Sequence, residues 1–322
     1  MKTINTVLGP LETSKMGFTL MHEHLMCAGQ IGISQFYPEL LGKDYKERII
    51  KALIAAKKSG VNTLVDATTL DIGRDIKVSA EVSQKSGVNI IACAGWYLEM
   101  SHFLGSFTSD QFAKVFAREI KEGVEGTNIK AGILKSAADI EGVTKTGEIL
   151  LRGVARAQLM TGVPMLLHSY SPGQVGRHQI AILKEEGVDL RHVKMDHSLD
   201  TTDLEYLTWM MDQGCYLGVD RLPATVISPS AVTSISARIK TIKALIDAGY
   251  SDRLLLSHDT ILVCTMYDTM PDAVRAQLAK NNPYGLLFIP DVLIPELRKM
   301  GVSETNIKKL NWDNPRRFFE GN

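Results

Sequence analysis

What most constrains this chain is a recurrence: eight short, β-rich apolar segments, at residues 18–25, 62–68, 89–97, 131–137, 164–169, 193–198, 215–220 and 254–259. Between them lie stretches with helical periodicity and a charged face, at 45–59, 75–86, 109–123, 145–161, 174–186, 202–213 and 234–248. Strand alternating with helix points to a parallel sheet, because a parallel return needs a crossover long enough to hold a helix. The strand bodies are apolar almost without interruption, as they are when both faces of a sheet are covered. Eight such units predict an α/β fold, a closed (β/α)8 TIM barrel, rather than an open doubly wound sheet. No Pro- or Ser-rich linker divides residues 1–322, so one domain is expected. Gly60, Gly87, Gly162, Gly214 and Gly249 each stand shortly before the next strand, where a helix is expected to stop. The first 16 residues, with a turn signal at Gly9-Pro10, are expected to form a hairpin or lid over the bottom of the barrel, and the last 20 a terminal helix.

Composition removes several classes of function. With 36 Lys and Arg against 36 Asp and Glu, the chain lacks the net charge of a protein that binds nucleic acid or anionic membrane electrostatically. Its longest apolar runs, such as 90–94 and 286–290, fall far short of the roughly 20 residues that span a bilayer. The first five residues carry one basic side chain and no continuous apolar segment follows, so no secretory signal is expected. Cys27, Cys93, Cys215 and Cys264 are far apart and form no CxxC pair. Reduced thiols in a cytoplasmic protein are therefore expected, rather than a disulfide framework or a zinc knuckle.

In such a barrel the chemistry sits at the C-terminal ends of the strands. Here the first strand ends in His22-Glu23-His24, the fourth holds Lys135, the fifth ends in His168 and the sixth in His197. The seventh ends in Asp220-Arg221 and the eighth in His258-Asp259. Side chains alternate along a strand, so His22 and His24 share one face and Glu23 takes the other. Four imidazoles and a carboxylate, with no cysteine, form a donor set suited to Zn, Mn, Fe or Co in a catalytic site rather than a closed structural one. Lys135 lies in an otherwise apolar strand. Two readings are open for it: a lysine paired with a buried carboxylate, or a neutral amine that takes up CO2 and becomes a carbamate able to bridge two metals. His258 and Asp220 are equally open to reading as packed core residues, and His102, His178 and His192 are expected at the surface.

The sequence resembles the phosphotriesterase family of the amidohydrolase superfamily, essentially end to end. The telling stretches are Thr19-Leu20-Met21-His22-Glu23-His24-Leu25, Lys130-Ala131-Gly132-Ile133-Leu134-Lys135, Leu167-His168-Ser169, Asp196-His197-Ser198, Gly218-Val219-Asp220-Arg221 and Leu256-Ser257-His258-Asp259, with a closing Asp313-Asn314-Pro315-Arg316-Arg317-Phe318-Phe319. The resemblance implies that His22, His24 and Asp259 bind a buried α metal and that His168 and His197 bind a more exposed β metal. Carboxylated Lys135 would bridge the two divalent ions, most simply zinc. It further implies a hydroxide shared by the ions as nucleophile and Asp259 as its proton acceptor, with His258 and Asp220 relaying that proton. A homodimer is what the family implies for assembly.

Two positions speak to the substrate. The third strand closes in Ala94-Gly95-Trp96-Tyr97, and the family's lactonases carry a tyrosine where Tyr97 stands; its hydroxyl could orient a lactone ring, or the ring could serve as an aromatic wall. Arg221 also occurs in lactonases, and in some organophosphate hydrolases. Residues 238–250 and Phe288-Ile289-Pro290 resemble the dedicated phosphotriesterase branch, the loop 260–284 matches neither branch, and Asp196 replaces the glycine common before the sixth-strand histidine. The expectation is a lactonase, acting on N-acyl homoserine or other lactones, with promiscuous phosphotriesterase activity. Alternatives are a dedicated aryldialkylphosphatase, another ester or amide hydrolase, and a barrel that only binds a small ligand.

Overall fold

The computed structural model describes residues 2–30, 32–98, 100, 104–223, 233–265 and 270–321. A hairpin comes first, β1 (Thr3–Thr6) and β2 (Gly9–Glu12), antiparallel in register Thr3 to Glu12. It packs at the start of the later strands: Val7 N donates to Ile90 O, and Asn5 Nδ2 donates to Ile120 O and Ala131 O. The eight strands that follow are β3 (Phe18–Glu23), β4 (Val61–Asp66), β5 (Asn89–Gly95), β6 (Ile133–Ala138), β7 (Met165–Ser169), β8 (Val193–Met195), β9 (Tyr216–Val219) and β10 (Leu254–Leu256). Each pairs in parallel with the next, in the order β3 to β10. The two ends of the sheet meet through bonds that run from Asp259 N to His22 O and from His24 N to Thr260 O, closing the (β/α)8 barrel.

Helices α1 (Tyr45–Lys58), α2 (Ile76–Ser86), α3 (Ser109–Lys121), α4 (Lys145–Thr161), α5 (Gly176–Glu185), α6 (Leu204–Asp212) and α7 (Ile235–Asp247) wrap the outside. Their starts follow from the sequence. Asp75 accepts from Lys77 N and Val78 N, and Thr108 and Gln111 form a reciprocal capping box. Gly162 stops α4 at a φ of 73°, the left-handed turn a side chain would resist.

The apolar interior has two layers. One lies between helices and sheet; the other fills the barrel with Met21, Val65, Ile91, Cys93, Ile133, Leu166, Tyr216 and Leu255, sealed below by Ile4, Met16 and Phe318. Strand period two then carries the inner face from Ile133 to Lys135 and from Leu166 to His168. The polar site is thus built directly on the apolar plug.

The tail is helical across Glu304–Lys308, Lys309–Asp313 and Asn314–Glu320. Asn311 Nδ2 donates to Thr19 O and Leu256 O, and Asn314 Nδ2 to Ser251 O and Leu254 O, so the tail holds β3 and β10 together from below. Three strands end earlier than the apolar pattern implies. β8 stops at Met195, β9 at Val219 and β10 at Leu256, and beyond them His197, Arg221 and Asp259 take φ values of 58°, 56° and 57°. Side chains are rarely held in this left-handed region except where the surroundings over-determine it, and such residues cluster at functional sites.

Candidate metal centre

The residues singled out by sequence converge above the plug. From β3 come His22 and, one residue beyond the strand, His24; from β6 comes Lys135 and from β7 His168; His197 and Asp259 follow β8 and β10. All but Asp259 are at least nine-tenths buried. One donor of each of His22, His24 and Asp259 lies within 4.8 Å of the other two. Asp259 Oδ1 stands 3.5 Å from His22 Nε2 and 3.4 Å from His24 Nε2, and Lys135 Nζ lies 2.9 Å from the same His22 Nε2. Beside them His168 Nδ1 faces His197 Nε2 at 2.8 Å.

The outward nitrogen of each ring meets an oxygen. His24 Nδ1 lies 3.0 Å from Thr68 Oγ1 and His197 Nδ1 2.7 Å from Asp220 Oδ1. His168 Nε2 lies 3.3 Å from Asp139 Oδ2, and His22 Nδ1 lies 3.0 Å from Asp196 Oδ2. For His24 and His197 the contact is a hydrogen bond, which presents the near nitrogen as a lone pair, the arrangement that orients metal-ligating histidines; for His168 and His22 it is a close approach without hydrogen-bond alignment. Burial lowers the pKa of His168, aided by Arg221 and Lys135, and pushes that of His197 well down, aided by Arg221 and His168. Neutral rings are the ligand-competent form. Burial opposes ionisation of Asp259, yet His22, His24, His197 and Arg221 outweigh it and hold the carboxyl well below its usual range. His22, His24 and Asp259 form a donor set that fits one cation, and the facing His168 and His197 stand beside it as two further donors.

A close backbone approach places Lys135. At Gly95 the φ is 124°, and a Cβ would stand 2.0 Å from Lys135 O, so only glycine lets β5 lie this close to β6. Just beyond, Tyr97 is half-buried. Its N donates to both carboxylate oxygens of Asp71, and its ring meets His168 edge-on with centroids 5.3 Å apart.

His258 and Asp220 do not form the expected chain from Asp259. His258 Nδ1 pairs with Glu23 Oε1 at 2.7 Å while its Nε2 accepts from Ile289 N at 3.1 Å, so both nitrogens are engaged away from Asp259. Asp220 instead receives the backbone N and Nδ1 of His197. The group that does reach Asp259 is Arg221, whose Nε donates to Oδ2 at 3.2 Å and whose Nη1 pairs with Asp200; Asp200 is held in turn by Arg238 Nη2 at 2.8 Å. Asp259 is thus tethered by a guanidinium rather than by His258. Of the three histidines expected at the surface, His178 is exposed, His192 is half-buried, and His102 lies outside the described residues, as does part of the loop 260–284.

Sequence reasoning passed over Thr68, Asp139, Asp200 and Lys194: the first three meet partners distant in the sequence, and Lys194 pairs with Asp196 two residues on. Asp200, three residues after His197, offered a faint signal.

The ends of β3 and of β6 to β10 gather imidazoles, carboxylates and a lysine around one axis of the barrel. The chain belongs to the phosphotriesterase family, whose model matches residues 2–319. It is 36% identical over 331 residues to a "Phosphotriesterase homology protein" of Mycobacterium tuberculosis, covering 99% of this chain and 98% of that one. It is 34% identical over 313 residues to an "Aryldialkylphosphatase" of Saccharolobus solfataricus, covering 96% of each. An "N-acetyltaurine hydrolase" of Xenopus tropicalis is 29% identical over 352 residues, covering 98% of this chain and 97% of the relative.

Proposed function

We propose that this phosphotriesterase-family hydrolase uses two divalent ions, zinc by preference, and acts chiefly as a lactonase with incidental phosphotriesterase activity. The observation that carries the reading is the convergence of four imidazoles, each with its far nitrogen against an oxygen, on Lys135 and Asp259. Bound there, the ions supply Lewis acidity for a carbonyl or phosphoryl oxygen and lower the pKa of water from about 15.7 towards about 7. Lys135, as a carbamate, supplies the second anionic ligand that a cluster of otherwise neutral rings lacks.

The chain's own residues do the rest. Asp259, kept anionic by the surrounding imidazoles and Arg221, accepts the proton of the attacking water. Arg221 fixes that carboxylate through Oδ2 and is itself locked by Asp200. Burial, with Asp259 and Asp139 adding to it, raises the pKa of the Tyr97 phenol, so the hydroxyl stays protonated and can donate to a lactone oxygen. His258 and Asp220 support the site by fixing the barrel seam and His197. The aryldialkylphosphatase relative supports organophosphate turnover as the second reading, and the N-acetyltaurine hydrolase relative keeps an amide in the comparison.

None of the four cysteines is in a disulfide, which suits a reducing cytoplasm. Phe36, Tyr37 and Leu40, exposed within five residues of one another, offer an apolar patch to a second copy, in line with a homodimer. Among the described residues no helix is long and apolar enough to cross a membrane.

The deciding experiment is kcat/KM of zinc-loaded protein measured side by side on an N-acyl homoserine lactone, a plain δ-lactone, a diethyl aryl phosphotriester and an N-acetyl amide. The reading expects the lactones to lead by orders of magnitude. A leading phosphotriester would make the enzyme a dedicated phosphotriesterase and Tyr97 a pocket wall.

A further inference from the structure

Behind the His22 ring, on the side away from Lys135, β8 and the residue after it bury an ion pair. Lys194 and Asp196, two apart and so on one face, are both fully buried. Lys194 Nζ pairs with Asp196 Oδ1, lies 3.7 Å from Asp220 Oδ2 and reaches Met21 O at 3.4 Å. Asp196 turns its other oxygen to His22 Nδ1 at 3.0 Å, close but out of line for a hydrogen bond in this structure, with Asp220 Oδ2 at 3.5 Å from the same nitrogen. Room for this comes from β9: a Cβ on Gly218 would stand 2.6 Å from Asp196 Oδ1 and 3.0 Å from Asp220 Oδ2.

His22, Asp196 and Asp220 are close enough to suggest a third cation site. The Lys194 ammonium already stands there, and a divalent ion beside it would be repelled. Lys194 is the resident cation, and it leaves Asp196 free to serve His22. The two outward supports are also divided: Asp220 Oδ1 is taken by the backbone N and Nδ1 of His197, so Asp196 is the nearer acceptor for His22. Loss of Asp196 would free the His22 ring to change tautomer or turn, while His168 and His197 keep their partners.

We propose that Asp196, held in place by Lys194, is a positioning residue that fixes His22 with Nε2 inward, and so sets the affinity of the ion shared with His24 and Asp259 without altering the other. The inference rests on the two-ion reading above.

The test is equilibrium titration of the apo-protein with zinc against a chromophoric chelator, which yields a constant for each ion. Asp196→Ala is expected to weaken one constant by about 10- to 100-fold, the range for removing the outer partner of a ligating histidine, and to leave the other within about threefold. Both constants unchanged, or both weakened alike, would overturn the proposal. Lys194→Met with Asp196→Asn removes both buried charges yet keeps an oxygen for His22 Nδ1, and is expected to restore the weakened constant to within about fivefold of the parent. If Asp196→Ala does not fold, that neutral pair is compared with Lys194→Met/Asp196→Ala, which lacks the oxygen, and the same selective loss is required. A parent protein that takes up fewer than two ions refutes the two-ion reading itself; a parent with two ions and an indifferent Asp196→Ala refutes only this inference.

Discussion

At the scale of single residues, the site depends on which nitrogen each ring turns inward. His24 and Thr68, His197 and Asp220, His168 and Asp139, and His22 and Asp196 are four independent answers to one requirement. The imidazoles were legible in the sequence because they end predicted strands; their partners were not, since Thr68, Asp139 and Asp196 meet them only once the strands lie side by side. Glu23 was legible as facing away from its histidines, but not as the carboxylate that holds His258. Lys135 is the residue on which the two-ion reading turns. Lys135→Ala is expected to lower metal content and to cut activity by more than about 100-fold, since even outer partners of metal ligands are worth about 10- to 100-fold. A short carboxylic acid added to that variant should recover part of both, by filling the bridge that the carbamate left. Full activity in the unsupplemented variant, measured alongside its metal content, would remove the carbamate from the account.

At the scale of elements, alternation and apolar strand bodies were enough to read all eight barrel strands and the seven helices between them. What they could not reveal is where strand geometry gives way. His197, Arg221 and Asp259 leave the ladder in left-handed turns, and nothing local in the sequence marks them apart from their chemistry. The seam between β3 and β10 was equally hidden. There Glu23 accepts from Ser257 Oγ, His258 N and Nδ1, and Thr260 N, all between 2.7 and 2.8 Å, and so ties the two strands that carry His22, His24 and Asp259. Glu23→Ala strands those donors in a buried seam. It is expected to lower unfolding stability by about 3 kcal/mol or more in urea denaturation, because four buried donors lose their acceptor at about 1–3 kcal/mol each. A loss below about 1 kcal/mol would mean that the seam is held elsewhere, by Asn311 and the backbone bonds.

At the scale of the whole molecule, the donors come from β3, β6, β7, β8 and β10, so bound ions would tie together strands far apart in the sequence. Ligands that bind only the folded state stabilise it in proportion to the logarithm of their concentration over the dissociation constant. Stripping the protein with a chelator should therefore lower Tm by about 5 °C or more, and zinc should restore it. An unchanged Tm would show that the barrel closes without help from its site. The central claim is that six side chains, read from strand ends, hold two ions in a hydrolase. Anomalous X-ray diffraction from crystals of the zinc-loaded protein tests it most directly. The account predicts two peaks per chain, one among His22, His24 and Asp259 and one between His168 and His197, with density beyond Lys135 Nζ for the carbamate. A single peak, or none at these residues, would contradict it.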